Sequence, residues 1–560
     1  MKKIITLFSI SVFLSSCFLF SFHREVHNPR FKGRYPHFSK SLKMRGAHSR
    51  YRDCYDVKFN QLNIMLDPLK KYVSGKVAIT GTAVFDFDTL QVDLFPELKV
   101  NAVTYESKAI KHYRKHGAIM IVMPKKIKSS ENFTVEVNYE GVAHEAKKPP
   151  WDGGLVWKKD IKQNDWCGVA CETQGASLWY PCKDDNSDEA DSTAINLTVP
   201  SDLFCVSNGR LRTIDSVSSN TQRTYKWFVS YPINSYNVTF YLGKYVLIHD
   251  VYNSNISGKN LDLDHYVLPW NFEKAKKHFQ QVKDHISFYE KTFGEYPWYR
   301  DGFKLVESPY AGMEHQSAIA YGNGYTNDYG IFDYIILHET AHEWWGNSLS
   351  AADLAHVWLH EGFATYSEAL YVEYKEGKNA YLDYVFFQRT SILNKRPVVG
   401  PMNRKYFSYK DGDVYVKGSW ILHTLRTIIA DDTLFFDILK TFRTENNMKQ
   451  ITSQSLVDLV NKKTGKNYDW FFSQYLYKRK APFIEYYGEN GKIYFRWKCT
   501  NDDFKMPVEV ICGNGKRIMI SPTTKVQSVV LPDGVVDFAF NDRIALFGKE
   551  ENKSLKRKAN

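Results

Sequence analysis

His338-Glu339-Thr340-Ala341-His342 is the stretch around which the rest of the chain arranges itself. Residues four apart on a helix share a face, so both imidazoles can aim at one metal ion while Glu339 keeps its carboxylate beside the same point. The flanks agree with a helix over Asp333–Trp345: Asp333 is a suitable amino-terminal cap and Gly346 a suitable stop.

Moving outward, Glu361 stands nineteen positions after His342 and opens a second predicted helix, Trp358-Leu359-His360-Glu361-Gly362-Phe363-Ala364-Thr365-Tyr366. Such a helix can pack beside the first and add a carboxylate to the two imidazoles. His338, His342 and Glu361 would then hold a single Zn2+ per chain and leave its fourth position to water, the ligand pattern of hydrolytic zinc sites. Glu339 would take that water's proton.

Two other groups compete for a metal. His356 and His360 are also four apart, but no carboxylate between them can serve as base. Cys167, Cys171 and Cys182 lack paired Cys-x-x-Cys spacing. Cys499 and Cys512, on neighbouring predicted strands, form a reasonable disulfide pair in an oxidising compartment.

At His338–His342 and Glu361 the chain resembles the aminopeptidase N family of zinc metallopeptidases, whose signature is H-E-x-x-H, eighteen residues, then Glu. Ala311-Gly312-Met313-Glu314-His315 stands where that family has a G-x-M-E-N strand. The resemblance implies that Glu314 binds the free amine of a substrate and that Gly312 and Met313 border the first side-chain pocket. Tyr415-Val416-Lys417-Gly418 is similar to the family's Y-x-K-G segment and implies Tyr415 as the donor to the tetrahedral intermediate. The segment Cys171 to Asp184 looks like the one that supplies a second amine-side group, for which Glu172 matches better than Gln174. His315 and His360 depart from the family, which has Asn at both places.

The fold class implied is a multidomain α+β protein. Strand-like patterns such as Val77–Phe85 and Phe133–Val137 fill residues 51–250, an expected β-sandwich-like domain. Helical patterns at Phe272–Phe293, Asp333–Trp345, Leu359–Lys375 and Val416–Ala430 mark residues 251–480 as a thermolysin-like, mainly helical catalytic domain. Strands return at Lys492–Trp497 and Val508–Ile511, a small β-sandwich-like domain over 481–548, before a basic tail at 549–560. The long helical domain found in many members of the family is not expected, so the active site should be more open. With 560 residues, 43% of them hydrophobic, the chain is long enough for several cores.

The formal charge of +12 does not mark a nucleic-acid binder. Residues 1–17, 18–50 and 549–560 carry net charges of +2, +7 and +3, which leaves 51–548 formally neutral. Basic tails of this kind meet an anionic membrane more readily than they read bases. Lys2 and Lys3, the apolar run Ile4–Phe13 and Leu14-Ser15-Ser16-Cys17 read as an export leader whose end resembles a bacterial lipobox. Cys17 would be the lipidated residue, residues 18–50 a basic linker, and the protein a membrane-anchored lipoprotein facing the periplasm or cell surface. The functional expectation is a zinc aminopeptidase acting on peptides with a free amino terminus. A thermolysin-like endopeptidase and a non-catalytic, peptide-binding surface lipoprotein are the alternatives.

Overall fold

The computed structural model describes residues 35–216, 220–406, 412–499, 501–532 and 535–558. The leader with Cys17, and the linker as far as residue 34, lie outside the described residues.

Alternation builds the first β unit. In the strand Tyr55–Asp67, Leu62, Ile64 and Leu66 are buried while Gln61 and Asn63 between them are exposed, so one face packs and the other meets water. This strand pairs with Tyr72–Ala83 on one side and Ser192–Pro200 on the other, at the centre of an eight-stranded sheet. Val84 and Phe85, expected to continue the second of these strands, stand beyond its end and are exposed, because the chain turns at Asp86 and Ser129. A four-stranded sheet, containing Asp165–Ala170 and Phe240–Gly243, and a three-stranded sheet complete the unit around its own apolar core.

A five-stranded sheet then begins at Val246–Asn253 and ends in the short edge strand Gly312–Met313, antiparallel to Ile319–Tyr321. Helices pack against it. The expected helix over Phe272–Phe293 is two helices, Phe272–His278 and Gln281–Phe293. Phe279 sits at the break, buried against the rings of His265, Tyr321 and Tyr325 at 5.0, 5.1 and 5.5 Å. The last helix of interest, Val416–Ile429, closes with Ala430 in the left-handed region at φ +57°.

After the helices come a four-stranded and a three-stranded sheet, with Phe483–Glu489, Lys492–Lys498 and Gly548–Glu551 adjacent in the first. Their inward residues, Ile484, Trp497, Val510 and Phe547 among them, join the same continuous core as Trp345, Phe363 and Trp420 of the helical region. Tyr475 Oη donates to the carbonyl of Leu546 across that junction. The expected Cys499–Cys512 bridge is not formed, and both are free thiols. The reason is topological: Lys492–Lys498, which precedes Cys499, and Val508–Cys512 belong to different sheets. No helix among the described residues is long and apolar enough to cross a membrane.

Candidate metal centre

The first helix runs from Tyr334 to Ala341, and Asp333 caps it by accepting from the Ile335 and Ile336 amides at 3.0 and 3.3 Å. It is shorter than expected. Beyond Ala341 the chain tightens into i→i+3 turns, the Glu343 amide reaching Thr340 O and the Trp344 amide Ala341 O, so His342 is the cap residue and Gly346 stands clear of the helix end. His342 nevertheless keeps helical dihedrals and shares a face with His338. The second helix, Trp358–Glu376, delivers Glu361 from its first turn.

The three donor atoms form a triangle. His338 Nε2 lies 3.2 Å from His342 Nε2, and Glu361 Oε2 lies 3.4 and 3.5 Å from them. Tetrahedral ligands about 2.0–2.1 Å from a zinc ion stand about 3.3–3.4 Å from one another, so the triangle has the size of a zinc cage. Two further observations fit the same group. His338 Nδ1 faces Glu368 Oε1 at 2.6 Å and His342 Nδ1 faces the carbonyl of Trp345 at 2.9 Å. Carboxylate and carbonyl only accept, so each ring carries its hydrogen on Nδ1 and turns a bare Nε2 to the centre. Glu361 Oε2 is buried there without a hydrogen-bond partner. The arrangement fits a cation and leaves an orphaned acceptor without one.

The carboxylates around the triangle attract positive charge, and a proton or a metal ion can supply it. Burial disfavours charge on His338, but the carboxylates of Glu361 and Glu368 outweigh it and raise its pKa well above the usual range, so a metal ion bound at Nε2 would take the place of a proton there. Burial likewise opposes ionisation of Glu361, yet the two imidazoles hold that carboxyl well below the usual range. Glu339, one residue after His338, is buried beside them, and burial pushes its pKa up to about 8 against the pull of both histidines.

Glu339 and the edge strand meet closely. A Cβ added at Gly312 would stand 2.7 Å from Glu339 Oε1 and 2.7 Å from Ile335 Cγ2, so the strand approaches this carboxyl only because residue 312 has no side chain. Met313 and Glu314 follow, both buried. Tyr236 donates to Glu314 Oε1 at 3.1 Å, and Asn347 Nδ2 donates to the carbonyl of Glu314 at 2.8 Å. Glu172 lines the same cavity and its Oε1 has no hydrogen-bond partner. Burial, then the repulsion of Glu314, Glu361 and Glu339, raises the Glu172 pKa well above the carboxylate range. A cation brought beside these buried carboxyls would favour their charged forms and lower their pKa values.

Tyr415 immediately precedes the helix Val416–Ile429, and its ring stacks on that of His338 with centroids 6.2 Å apart. That helix crosses the Glu361 helix where Gly362 and Gly418 touch: a Cβ on either would come within 2.9 Å of the other's Cα. The close crossing brings Tyr415 to Glu361, whose charge, after burial, raises the pKa of the phenol. All the residues singled out from sequence around this site, Glu172, Gly312, Met313, Glu314, His338, Glu339, His342, Glu361 and Tyr415, line one cavity of about 330 Å³.

The two rival groups disperse, and His315 stands apart from the site. His360 Nε2 accepts from the Ala351 amide at 2.8 Å and His356 Nδ1 is engaged by Ser453 Oγ at 2.8 Å, so that pair is spent on structural bonds. His315 lies outside the cavity, its Nδ1 on Tyr241 Oη at 2.7 Å. Cys167, Cys171 and Cys182 form no metal-ligating group among the described residues. Sequence reasoning missed Glu368, although it lies two turns after Glu361 on the same helix. It also missed Tyr236 and Tyr384, the latter donating to Glu368 Oε2 at 2.6 Å, which arrive from distant segments with no local signal.

With this geometry in place, the likeness to known proteins is specific. Residues 277–475 match the Peptidase family M1 domain. The chain is 25% identical over 331 residues to leucine aminopeptidase 2 of Lodderomyces elongisporus, covering 57% of this chain and 48% of that protein. It is 25% identical over 409 residues to leucine aminopeptidase 2-1 of Meyerozyma guilliermondii, covering 69% and 62%. The matched stretch thus spans about half to three fifths of these relatives. In fold it is similar to a crystal structure of an M1 zinc metallopeptidase mutant from Deinococcus radiodurans bound to a Tyr-Ser-Ala substrate, with a TM-score of 0.64 at 20% identity over 76% of this chain and 95% of that one. The matched residues 277–475 hold the H-E-x-x-H helix, Glu361 and Tyr415, so the part of the chain that is similar to peptidase family M1 is the part that builds this site, in line with the aminopeptidase N family that its motifs resemble.

Proposed function

We propose that the protein is a zinc-dependent aminopeptidase that removes residues from the free amino end of peptides, with one zinc per chain. The observation that carries this reading is the conjunction, in one cavity, of the His338, His342 and Glu361 triangle with the unpartnered carboxyl of Glu172 beside Glu314. A cation cage alone fits any zinc hydrolase. The two carboxyls add a place for a terminal amine, which is mostly cationic below about pH 7.7–8.0.

When bound in this cage, zinc would polarise the scissile carbonyl and acidify a water. Glu339 accepts the proton of the attacking water and returns it to the departing amine. Tyr415 donates to the oxygen on which negative charge develops. Glu314, oriented by Tyr236, and Glu172 hold the substrate's ammonium and so fix which peptide bond lies over Glu339. The relatives named leucine aminopeptidase support the same class.

Export and lipid attachment through Cys17 belong to this proposal as well, supported by Leu14-Ser15-Ser16-Cys17 after an apolar run. Metabolic labelling with a fatty-acid probe, lost in Cys17→Ser, tests that part. The catalytic reading is tested with matched free and N-acetylated aminoacyl fluorogenic substrates, each with and without a zinc chelator. Cleavage of the free substrates alone, abolished by the chelator, is expected. Equal cleavage of both series would replace it with an endopeptidase.

A further inference from the structure

Glu172 stands on a turn rather than on a strand. The chain leaves Asp165–Ala170, folds back so that the Gln174 and Gly175 amides both bond the Cys171 carbonyl at 3.2 and 2.6 Å, and enters the short helical turn Ala176–Leu178. Two cations from distant segments brace that turn. Arg45, on the helix Lys40–Gly46, donates to the Gln174 carbonyl at 2.6 Å and lies 3.7 Å from Asp184 Oδ2. Lys405 Nζ stands 2.7 Å from Asp184 Oδ1, and Ser177 Oγ donates to Asp184 Oδ2 at 2.6 Å. The side chains of Arg45, Asp184 and Lys405 are at most 4% exposed.

The two segments that supply the cations hold each other. The Lys405 amide donates to the Leu42 carbonyl at 3.1 Å. Phe38 packs edge-on against Tyr406 at 5.2 Å, and the Arg404 guanidinium lies over Phe38 at 5.9 Å. Lys405 also bears on Glu172 directly, as the cation that favours its charged form against burial and the neighbouring carboxyls. Buried ion pairs gain little net stability over apolar packing, so a three-membered one beneath a functional turn is better accounted for by the geometry it fixes.

We propose that Arg45 and Lys405, both locked on Asp184, are positioning residues for Glu172, holding its carboxyl at the place where it and Glu314 share a substrate's ammonium. This rests on the aminopeptidase reading. In that reading Glu172 itself touches substrate, and the two cations act through the turn that carries it.

The test uses the zinc-loaded full chain and two inhibitors, leucine hydroxamate and 4-methylpentanoyl hydroxamate, which differ only in the α-amine. Arg45→Gln should raise the inhibition constant of leucine hydroxamate by about 10- to 100-fold, the size of one hydrogen bond to a charged group, and leave that of the des-amino compound within about twofold. Arg45→Lys keeps a cation beside Asp184 but, with a different length and head group, does not reproduce the reach of Nη1 to both Asp184 and the Gln174 carbonyl. It is the milder variant should Arg45→Gln not fold, and it gives a smaller shift in the same direction. In a Glu172→Gln background the Arg45 change should add almost nothing, since the contact it positions is already gone. If both inhibitors weaken together, if neither does, or if the effect persists without Glu172, the positioning role is wrong. If the wild type itself binds the two hydroxamates equally, the aminopeptidase reading fails and takes this proposal with it. Wild-type discrimination that survives in the Arg45 variants overturns the positioning role alone.

Discussion

Glu368 Oε1 accepts the Nδ1 hydrogen of His338 at 2.6 Å, and through that one bond a residue two turns beyond Glu361 decides which nitrogen of His338 faces the cage. Tyr384 holds the other carboxylate oxygen at 2.6 Å, so the orienting group is itself oriented. Removing such an outer partner usually lowers metal affinity by about 10- to 100-fold. Glu368→Ala is therefore expected to keep all three ligands yet lose zinc at chelator concentrations the wild type withstands. A competition titration with a chromogenic chelator measures it, and unchanged affinity would show that Glu368 is only packed there.

Ligands and base should separate in the metal content of their variants. His342→Ala removes one corner of the triangle and should lose zinc and turnover together. Glu339→Gln leaves the triangle whole and should retain stoichiometric zinc while turnover falls by about 10²- to 10⁴-fold, the range of general base catalysis. Elemental analysis beside a steady-state assay reads both. Appreciable turnover by zinc-loaded Glu339→Gln would assign the proton to another group.

The edge strand's approach to the base predicts an effect from a single methyl. Gly312→Ala would place a carbon 2.7 Å from Glu339 Oε1 and from Ile335 Cγ2, closer than van der Waals contact permits. The base or the strand must yield. Turnover is expected to drop by at least about tenfold with zinc retained, because a misplacement of about 1 Å is enough to cost that much. A variant with normal turnover would mean that Glu339 swings away from Gly312 during the reaction.

The amine-anchoring role proposed for Glu314 is read through KM. Glu314→Gln keeps the shape of the side chain and its contact with Tyr236 but removes the charge. For free aminoacyl substrates KM should rise by about 10- to 100-fold, the range of a hydrogen bond to a charged group, with zinc content unchanged. An unaltered KM would leave the ammonium to Glu172 alone.

What could be read in advance from sequence depended on distance along the chain. The His338 and His342 pair was legible because spacing of four is a property of one helix, and Glu361 because it opens the next. The early end of the first helix at Ala341 was not legible: Gly346 looked like the stop, whereas Glu343 to Trp345 tighten to bury Trp344 and Trp345. Nor was the fate of His360, which differs from Glu361 by one position and so points to the Ala351 amide instead of the cage. Tyr236 and Tyr384 reach the site only through tertiary packing. The free thiols of Cys499 and Cys512 follow from a sheet partition that strand patterns do not encode.

Tyr415 tests whether the cavity stabilises a transition state or only binds. Its ring is fixed by stacking on His338 and by the close crossing at Gly362 and Gly418, so Tyr415→Phe should leave the fold and the zinc unchanged and delete a single hydroxyl. If that hydroxyl donates to the oxygen as charge develops, its loss falls on the transition state: kcat should fall by about 10²- to 10³-fold with KM nearly constant. A purely packed ring predicts near-normal kcat, since the ring remains. A ground-state contact predicts a raised KM with kcat preserved, since uniform binding alone is lost. Steady-state kinetics on the folded, zinc-loaded variant separate the three outcomes, and either of the last two would remove Tyr415 from the catalytic group.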